Sequence, residues 1–449
     1  MRILNWEALN KRERAAALSR PTPAARAQVD IQVEEIRCHV RASGDTALRK
    51  FTAEFDRAFP EQLAVSPLEH ESAQSALNAE QRQALARAID NVQRFHEAQI
   101  APSVRLETEP GIRCEQIVRP IAKVGLYVPS GSAPLPSALI MMGVPARIAG
   151  CSQRIVCTPP RLDGSVHPAI LFAAQLCGID SIFKVGGAQA IAALAYGTES
   201  IPRVDKIFGP GNSHVTAAKQ QVAQDPDGVP CDLPAGPSEV LVIADSQARP
   251  AIIASDLLAQ LEHDPLSQAI LVSDSTMLAR AVQSELTLQA AQLSRRQVLA
   301  QSLSACRCLL VSDLEQAFEV ANAYAPEHLI LQVLEPRMWL SHVMNAGSVF
   351  LGPWTPEALG DYCSGTNHVL PTYGYARSVS GLTLRDFQKS ISVQEATPQG
   401  LSALGPTAVT LAELEGLDGH ARSVTRRLAI LPKRSSPQPH TSDASRAAP

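Results

Sequence analysis

The feature of this chain that most limits its fold is the alternation of short apolar segments with longer amphipathic ones. The alternation begins near residue 117 and continues to about residue 351. The short segments have the length of strands, and the segments between them have the period and composition of helices. This order predicts an α/β fold in which helices cover both faces of parallel strands. The predicted strands are VGLYV, RIVCT, SIFKV, DKIFG, EVLVIA, QAILVSD, RCLLVSD, HLILQV and GSVFLG.

These predicted strands are too many for one compact sheet of ordinary size, so they favour two α/β units. The first ~110 residues have a helical period, and residues 76–99 suit one long helix because they contain neither Gly nor Pro. A helical segment is also predicted over residues 409–431, after a loop at residues 360–372. The chain of 449 residues therefore has two central units with helical segments at both ends.

Composition excludes several classes of partner. The net charge is −4 and aromatic residues make up 4%, which argues against nucleic-acid binding. No apolar run reaches the ~18 residues of a membrane span, and the N-terminus lacks a signal-peptide pattern. We therefore expect a soluble, cytoplasmic protein with no membrane partner. The nine cysteines show no CxxC pair and are expected to be free, buried thiols.

Three segments that follow predicted strands are rich in turn residues: residues 127–137, 185–190 and 208–219. Glycine lets a ligand approach the backbone, and the N-terminus of a following helix favours a phosphate. The spacing does not match G-x-G-x-x-G, because His214 stands where the third glycine belongs. From the residues alone, a dinucleotide site and simple tight turns are about equally supported.

Four further places carry side chains suited to chemistry. Gln260 and His263 share a helix face, which suits either one cation or a hydrogen-bonded helix end. Pro326 provides a turn from which Glu327 and His328 can enter one pocket as an acid/base pair; the alternative is a capped helix end with a surface histidine. The other candidates are Asp361 and His368 in a Gly-rich loop, and Glu415 and His420 near the C-terminus.

Together, Gln260, His263, Asp361 and His420 form a set of nitrogen and oxygen ligands without thiolates. Such a set suits a divalent ion such as zinc and leaves room for a substrate. Spacing alone leaves open whether these segments meet in space.

Many segments in the same order identify a resemblance to the histidinol dehydrogenase family, from about Arg20 to Leu431. The segments are GDTALRKFTAEFD, VGLYVPSG, PARIAGC, KVGGAQAIAALAYGT, VDKIFGPGNSHVTAAK, DLPAGPSEVLVIAD, SDLLAQLEHDP, AYAPEHLIL, GDYCSGTNHVLPT and EGLDGHARSVTRR. The resemblance implies two Rossmann-like parallel-sheet domains in an intertwined homodimer. It also implies oxidation of L-histidinol to L-histidine through the aldehyde, with two NAD, at the end of histidine biosynthesis.

The resemblance further implies a role for each candidate residue. One zinc per subunit would be bound by Gln260, His263, Asp361 and His420, and NAD by Tyr127, Gln189 and Asn212. Glu327 and His328 would form the acid/base pair. The substrate would contact Ser238, Gln260, His263, His328, Asp361, His368, Glu415 and His420. On the family pattern, Glu415 and His420 would come from the partner subunit.

The resemblance also implies domain boundaries. We expect a helical extension at residues 1–25, an α/β domain with the zinc and acid/base residues at 26–126 plus 239–380, an NAD-binding domain at 127–238, a segment completing the partner's site at 381–432, and a disordered tail at 433–449.

Three other functions remain as alternatives. A relative that oxidises another polar alcohol, such as a sulfonated diol, would need a cation where Glu415 stands. A zinc hydrolase could use Glu327 to activate water but would not need an NAD pocket. A catalytically silent metal-binding or scaffold protein would have no reason to keep all these residues.

Overall fold

The computed structural model describes residues 1–21, 26–130, 133–233 and 236–431. The expected tail at residues 433–449 lies outside these ranges. The described chain divides into two compact units: Met1–Ile100 with Pro120–Lys389, and Ala101–Arg119 with the residues from Ser390 onward. The first unit contains two separate parallel sheets, which confirms the predicted α/β class.

The larger sheet has six parallel strands in the order β1-β10-β9-β8-β11-β12. Its central strands are buried on both faces, and alternate residues pack into two different cores. Val240 and Val242 lie in the core on one face, and Leu241 and Ile243 lie in the core on the other. The strands are β1 (Arg2–Asn5), β8 (Glu239–Ala244), β9 (Gln268–Ser273), β10 (Arg307–Leu310), β11 (His328–Gln332) and β12 (Ser348–Leu351).

Five helices lie between strands of this sheet along the chain, and a sixth follows its last strand. They are α1 (Lys11–Ala17), α9 (Pro250–Leu261), α10 (Thr276–Ala290), α11 (Arg296–Ser302), α12 (Leu314–Tyr324) and α13 (Glu357–Tyr362). Pro250 is the first residue of α9, where a missing N–H costs nothing. The helix ends at Leu261, so Gln260 and His263 lie at its C-terminal end, as predicted.

The smaller sheet has four parallel strands in the order β6-β5-β4-β7. Here too, successive residues of one strand enter different cores, since Leu126 packs on one face and Tyr127 on the other. The strands are β4 (Lys123–Tyr127), β5 (Gln153–Thr158), β6 (Ser181–Lys184) and β7 (Lys206–Phe208). The helices are α2 (Arg26–Phe51), α3 (Pro67–Ser75), α4 (Ala79–Glu97), α5 (Pro136–Ala149), α6 (Pro168–Leu176), α7 (Gly187–Tyr196) and α8 (Ser213–Gln224).

Two expected domain assignments were wrong in this structure. Residues 1–25 are not purely a helical extension, because β1 is an edge strand that pairs with β10. Of the segment 26–126, residues 101–119 belong to the second unit, and the rest packs with the smaller sheet and not with the larger one. Helix α4 of this segment packs Ile89 and Val92 against the core of the smaller sheet, and β4 is a strand of that sheet. Apolar packing therefore moves this N-terminal segment to the other sheet.

The second unit contains a small sheet and a helical hairpin. Its strands are β2 (Val104–Glu109), β3 (Ile112–Pro120) and β13 (Gln388–Ala396), in the order β13-β3-β2. The last residue of β3, Pro120, and the first two residues of β13, Gln388 and Lys389, belong to the first unit. Helices α14 (Pro398–Leu414) and α15 (Asp418–Ala429) approach closely at Gly405, where a Cβ would lie 3.2 Å from Leu428. Much of the apolar surface in this unit is exposed, as at Leu106, Leu414 and Ile430.

All nine cysteines are free, as predicted, but they are not all buried, since Cys38 is exposed. Within the described ranges, no helix combines the length and apolar character needed to cross a membrane.

Candidate active site

A cavity of about 570 Å³ lies in the first unit, next to a segment that follows a strand of the smaller sheet and to segments that precede strands of the larger sheet. From the smaller sheet it is lined by Asn212 at the start of α8. From the larger sheet it is lined by Ser238 and His263, and Tyr373 forms part of the wall. Asn212 follows β7 and lies at the carboxyl end of that strand, where ligands of parallel α/β sheets bind. Ser238 and His263 instead precede β8 and β9, so the larger sheet contributes the amino ends of its strands.

Glu327 and His328 lie between α12 and β11. Helix α12 ends at Tyr324, and Ala325 adopts a left-handed conformation with φ of 55°. This turn and Pro326 direct the next two side chains into the protein, where both are buried. Glu327 Oε2 lies 3.6 Å from His328 Nδ1. The two side chains are therefore neighbours, as the turn at Pro326 predicted.

His328 is surrounded by carboxylates. Burial by itself lowers the pKa of the imidazole, but the charges of Glu357, Glu327 and Asp361 outweigh it and raise this pKa well above its usual value. For the Glu327 carboxyl group, burial acts in the opposite direction and raises the pKa to about 8. Three carboxyl groups around one imidazole are an excess of negative charge, which favours a bound cation.

A cluster suited to a metal ion lies beside this pair. One ligand atom from each of His263, Glu357 and Asp361 lies within 4.8 Å of the others. Gln260 is fully buried with its amide against the Glu357 carboxylate, and the amide orientation that satisfies both groups directs the nitrogen to Oε2, at 3.0 Å, and to Oε1. His328 Nε2 lies 3.7 Å from Asp361 Oδ1, so the acid/base pair and the cluster are adjacent.

The sequence analysis was wrong about the position of Asp361 and missed Glu357. Asp361 does not lie in a loop; it lies on α13, which begins at Glu357. Residues four apart share a helix face, so the Glu357 and Asp361 spacing could have predicted that both carboxylates point the same way. The neighbouring glycines at positions 360 and 365 concealed the helix.

His368 does not belong to this cluster, but the charge of Asp361 in the cluster acts on its imidazole. Burial lowers the pKa of the His368 imidazole, and the charge of Asp361 opposes that effect. Its Nε2 atom is buried without a hydrogen-bond partner. Ser238 precedes β8, and its carbonyl oxygen accepts a hydrogen bond from Gln268 N at 3.1 Å.

Tyr127 and Gln189, two of the predicted NAD contacts, meet at the N-terminus of α7. The Gly187 N–H donates to the Tyr127 hydroxyl at 3.1 Å. A Cβ on Gly187 would lie 2.6 Å from Gln189 Oε1. Both polar atoms of the buried Gln189 amide have no hydrogen-bond partner. Asn212, in contrast, lines the cavity and caps α8, because its Oδ1 accepts from the N–H groups of His214 and Val215.

A buried ion pair fixes the segment that leads to Asn212. Lys219 pairs with Asp232, donates from Nζ to Gly209 O at 2.8 Å, and is almost fully buried. Asp232 Oδ2 in turn accepts from Gly209 N at 2.7 Å. Both polar groups of one glycine are thus bound by opposite charges, which holds the turn before the cavity in one conformation. Gly209 has φ of 135° and a Cβ there would lie 2.2 Å from Tyr127 O, so only glycine fits.

Glu415 and His420 lie in the second unit, in the hairpin of α14 and α15. Glu415 follows the last residue of α14, and His420 lies in the first turn of α15. Both side chains are exposed. Among the described residues of the first unit, three of the four expected zinc ligands come together.

Parallel α/β sheets, a glycine turn at a cavity, and a buried acid/base pair beside a metal-capable cluster are typical of an enzyme that combines nucleotide binding with proton transfer. The sequence profile of histidinol dehydrogenase matches residues 19–428. The chain belongs to the histidinol dehydrogenase family, whose members are NAD-dependent oxidoreductases of histidine biosynthesis.

Individual relatives agree with this assignment. The chain is 55% identical over 430 residues to the histidinol dehydrogenase of Xanthomonas campestris pv. campestris, covering 96% of this chain and 100% of the relative. It is 50% identical over 429 residues to the Yersinia pestis histidinol dehydrogenase, covering 96% of each chain. The crystal structure of the Elizabethkingia anophelis histidinol dehydrogenase superposes with a TM-score of 0.91 at 41% identity, covering 96% and 98% of the two chains.

The contact between Glu357 and Gln260 gives a testable prediction about metal binding. Glu357→Gln should weaken zinc binding by about ten- to a hundredfold, because the carboxylate both orients the Gln260 amide and adds negative charge to the cluster. Titration against a chromogenic zinc chelator measures the affinity. Glu262→Gln, the same change in the residue before His263, is the matched control. Parental affinity in Glu357→Gln would contradict the assigned role.

Proposed function

We propose that this chain oxidises L-histidinol through L-histidinal to L-histidine, with zinc bound and two NAD reduced. The observation that carries the proposal is the buried pair of Glu327 and His328, 3.6 Å apart, beside a metal-capable cluster in a member of this family. A group that takes protons must accompany each hydride transfer, and this pair is placed to do so.

The donor set fits zinc. Gln260, His263 and Asp361 would bind the ion, together with His420 of a second subunit, and Glu357 would orient Gln260. The set contains two imidazoles, one amide oxygen and one carboxylate and no thiolate, which suits zinc, and substrate would bind by expanding the coordination beyond these four ligands. When bound, zinc would supply a fixed positive charge that holds the nitrogen atoms of the substrate in place.

The proposed NAD site is supported by unused hydrogen-bonding groups. Gln189 is buried with both amide atoms unpartnered, which is costly unless a ligand or water satisfies them. Tyr127 lies over the start of α7, and Asn212 faces the cavity with its carbonyl oxygen already used in the helix cap. When bound, NAD accepts a hydride from the substrate carbon in each oxidation.

His328 is suited to accept the alcohol proton. Its Nδ1 lies 3.1 Å from the backbone oxygen of Glu239, which places a proton on Nδ1. The surrounding carboxylates raise the pKa of this imidazole, and a cation bound at the cluster would offset their charge and lower that pKa again. In the neutral imidazole, Nε2 would carry the lone pair, and it has no hydrogen-bond partner. As hydride leaves the carbinol carbon for NAD, the hydroxyl proton passes to Nε2 and the aldehyde forms.

Glu327 is suited to the second oxidation. As water adds to the aldehyde carbon, the Glu327 carboxylate would take the proton that the water loses, and the His328 imidazolium formed in the first step would give its proton to the aldehyde oxygen. The neutral His328 would then accept a hydroxyl proton of the hydrated aldehyde as its hydride leaves for a second NAD, which yields the carboxylic acid. The Glu239 N–H donates to Glu327 Oε2 at 2.8 Å and directs the other carboxylate oxygen away from the main chain.

Ser238, His368 and Glu415 would complete the substrate site. Glu415 favours histidinol over a sulfonated diol, because its carboxylate would attract an ammonium group and repel a sulfonate. Because Glu415 and His420 are exposed on a unit with much exposed apolar surface, we propose a homodimer in which each copy completes the other's site. A reaction that uses NAD and supplies histidine for protein synthesis supports a cytoplasmic location.

The decisive experiment is product analysis. Purified protein with L-histidinol and excess NAD should form two NADH for each histidine, because oxidation of an alcohol to an acid removes two hydrides. Absorbance at the NADH band and chromatography of the amino acid measure the ratio. A product other than histidine, or hydrolysis without NADH, would favour one of the alternative functions.

The division of labour between Glu327 and His328 gives a second prediction. Glu327→Gln should lower kcat for aldehyde oxidation by about a hundredfold and affect alcohol oxidation less, since only the aldehyde step adds water. Stopped-flow measurement of NADH from histidinol and from histidinal separates the steps. His328→Asn, in comparison, should impair both. Equal losses from Glu327→Gln in the two steps would reverse this assignment.

Shared sites can be tested with mixed dimers. His420→Asn and Glu327→Gln homodimers should each be nearly inactive, whereas a random mixture of the two chains should recover about a quarter of the sites, because heterodimers contain one intact site. Histidine formation by the random mixture gives the measurement, and heterodimers isolated by tandem purification of differently tagged chains should recover half of the sites. No recovery would show that each site is built from a single chain.

A further inference from the structure

Behind the acid/base pair lies a buried ion pair that takes no part in the proposed reaction. Arg20 Nε lies 2.6 Å from Glu239 Oε1, and Arg20 Nη2 lies 2.8 Å from Glu239 Oε2. The carboxylate is 2% exposed. This two-point contact fixes the relative orientation of both groups, which a single contact would not do.

The main chain of Glu239 contacts both members of the acid/base pair. Its N–H donates to Glu327 Oε2 at 2.8 Å, and its carbonyl oxygen lies 3.1 Å from His328 Nδ1. The first contact selects which carboxylate oxygen remains for the substrate. The second favours the imidazole tautomer with a free Nε2. A shift of the Glu239 backbone would therefore misplace both proton-transfer groups together.

Arg20 also contacts the turn from which Glu327 and His328 emerge. Its Nη2 donates to the carbonyl oxygens of Tyr324 at 2.9 Å and Ala325 at 3.3 Å. Its guanidinium lies 4.0 Å from the centre of the Tyr324 ring. Ala325 has the left-handed conformation that residues with a Cβ adopt rarely, so external contacts are needed to maintain it.

The same carboxylate contacts the wall of the cavity. Tyr373, which lines the cavity, donates its N–H to Glu239 Oε1 at 2.7 Å. Tyr373 also has a positive φ, of 53°. The network reaches Ser238 too, because Tyr324 donates to Gln268 Oε1 at 2.7 Å and Gln268 N donates to Ser238 O. The network therefore contacts every segment that carries one of four residues: Glu327, His328, Tyr373 and Ser238.

We propose that Arg20 and Glu239 are positioning residues that set the geometry of the Glu327–His328 pair. The proposal rests on the proposed function, because it assumes that this pair transfers the protons. A lysine at position 20 would keep the charge but could not make the two-point contact and reach both backbone carbonyls. The Arg20→Lys variant therefore removes the two-point contact with Glu239 while it keeps the positive charge at position 20.

Arg20→Lys should lower kcat about ten- to a hundredfold in both oxidation steps, since small displacements of reacting groups have effects of this size. The KM for NAD, the zinc content and the melting temperature should stay near the parental values. Arg147→Lys is the matched control. Arg147 also makes two part-buried hydrogen bonds, to Leu176 O at 2.9 Å and to Gln93 Oε1 at 2.8 Å, but its partners lie outside this network. Its kcat should be unchanged.

A rescue experiment adds a readout that a purely structural role would not change. In Arg20→Ala, millimolar guanidinium should restore kcat severalfold by occupying the vacated space beside Glu239, and it should not restore Glu239→Gln. Parental kcat in Arg20→Lys, or a loss that merely follows the melting temperature and is not rescued, overturns the proposal. Glu327→Gln is assayed in parallel. If that variant retains full activity the proposed function fails, whereas an inactive Glu327→Gln with a fully active Arg20→Lys refutes the positioning role alone.

Discussion

The parallel pairing of β8 with β11 is the constraint on which the site depends. The register sets His328 opposite Val240, so the first residue of β8 lies beside the Glu327–His328 step. Burial of both strands on both faces fixes that register, because a slip of one residue would exchange the apolar side chains between the two cores. Packing of the sheet therefore also determines where Glu327 and His328 lie, because both depend on the same two strands.

In each sheet, an ion pair of two oppositely charged side chains holds the backbone near a strand end in place. In the larger sheet, Arg20 and Glu239 secure the start of β8 and the turn before Glu327. In the smaller sheet, Lys219 and Asp232 secure the turn at Gly209. Removing one partner of either pair would leave a buried, uncompensated charge, which is strongly destabilising. The cavity between these turns is therefore bordered by backbone that is held on both sides.

The parts of the fold predictable from sequence were those with a continuous apolar signal. Strands such as β8 and β9 are buried throughout and contain uninterrupted apolar runs, VLVIA and AILV, so they were predicted correctly. The edge strand β1 has only four residues, and β2 is exposed along its whole length, so neither carries that signal. Pro326 predicted the turn into the site because proline restricts the backbone locally. Spacing could not bring His263 and Asp361 together, because their proximity depends on how α9 and α13 pack in three dimensions.

The location of His420 and Glu415 on the second unit has a thermodynamic consequence for the proposed assembly. If each copy supplies the last zinc ligand to its partner, then metal binding and subunit association are linked equilibria. Zinc would bind more tightly as the protein concentration rises, and chelation would favour dissociation into single chains. The cell would then hold little metal on unassembled subunits, since a chain without a partner lacks the imidazole that closes the coordination shell.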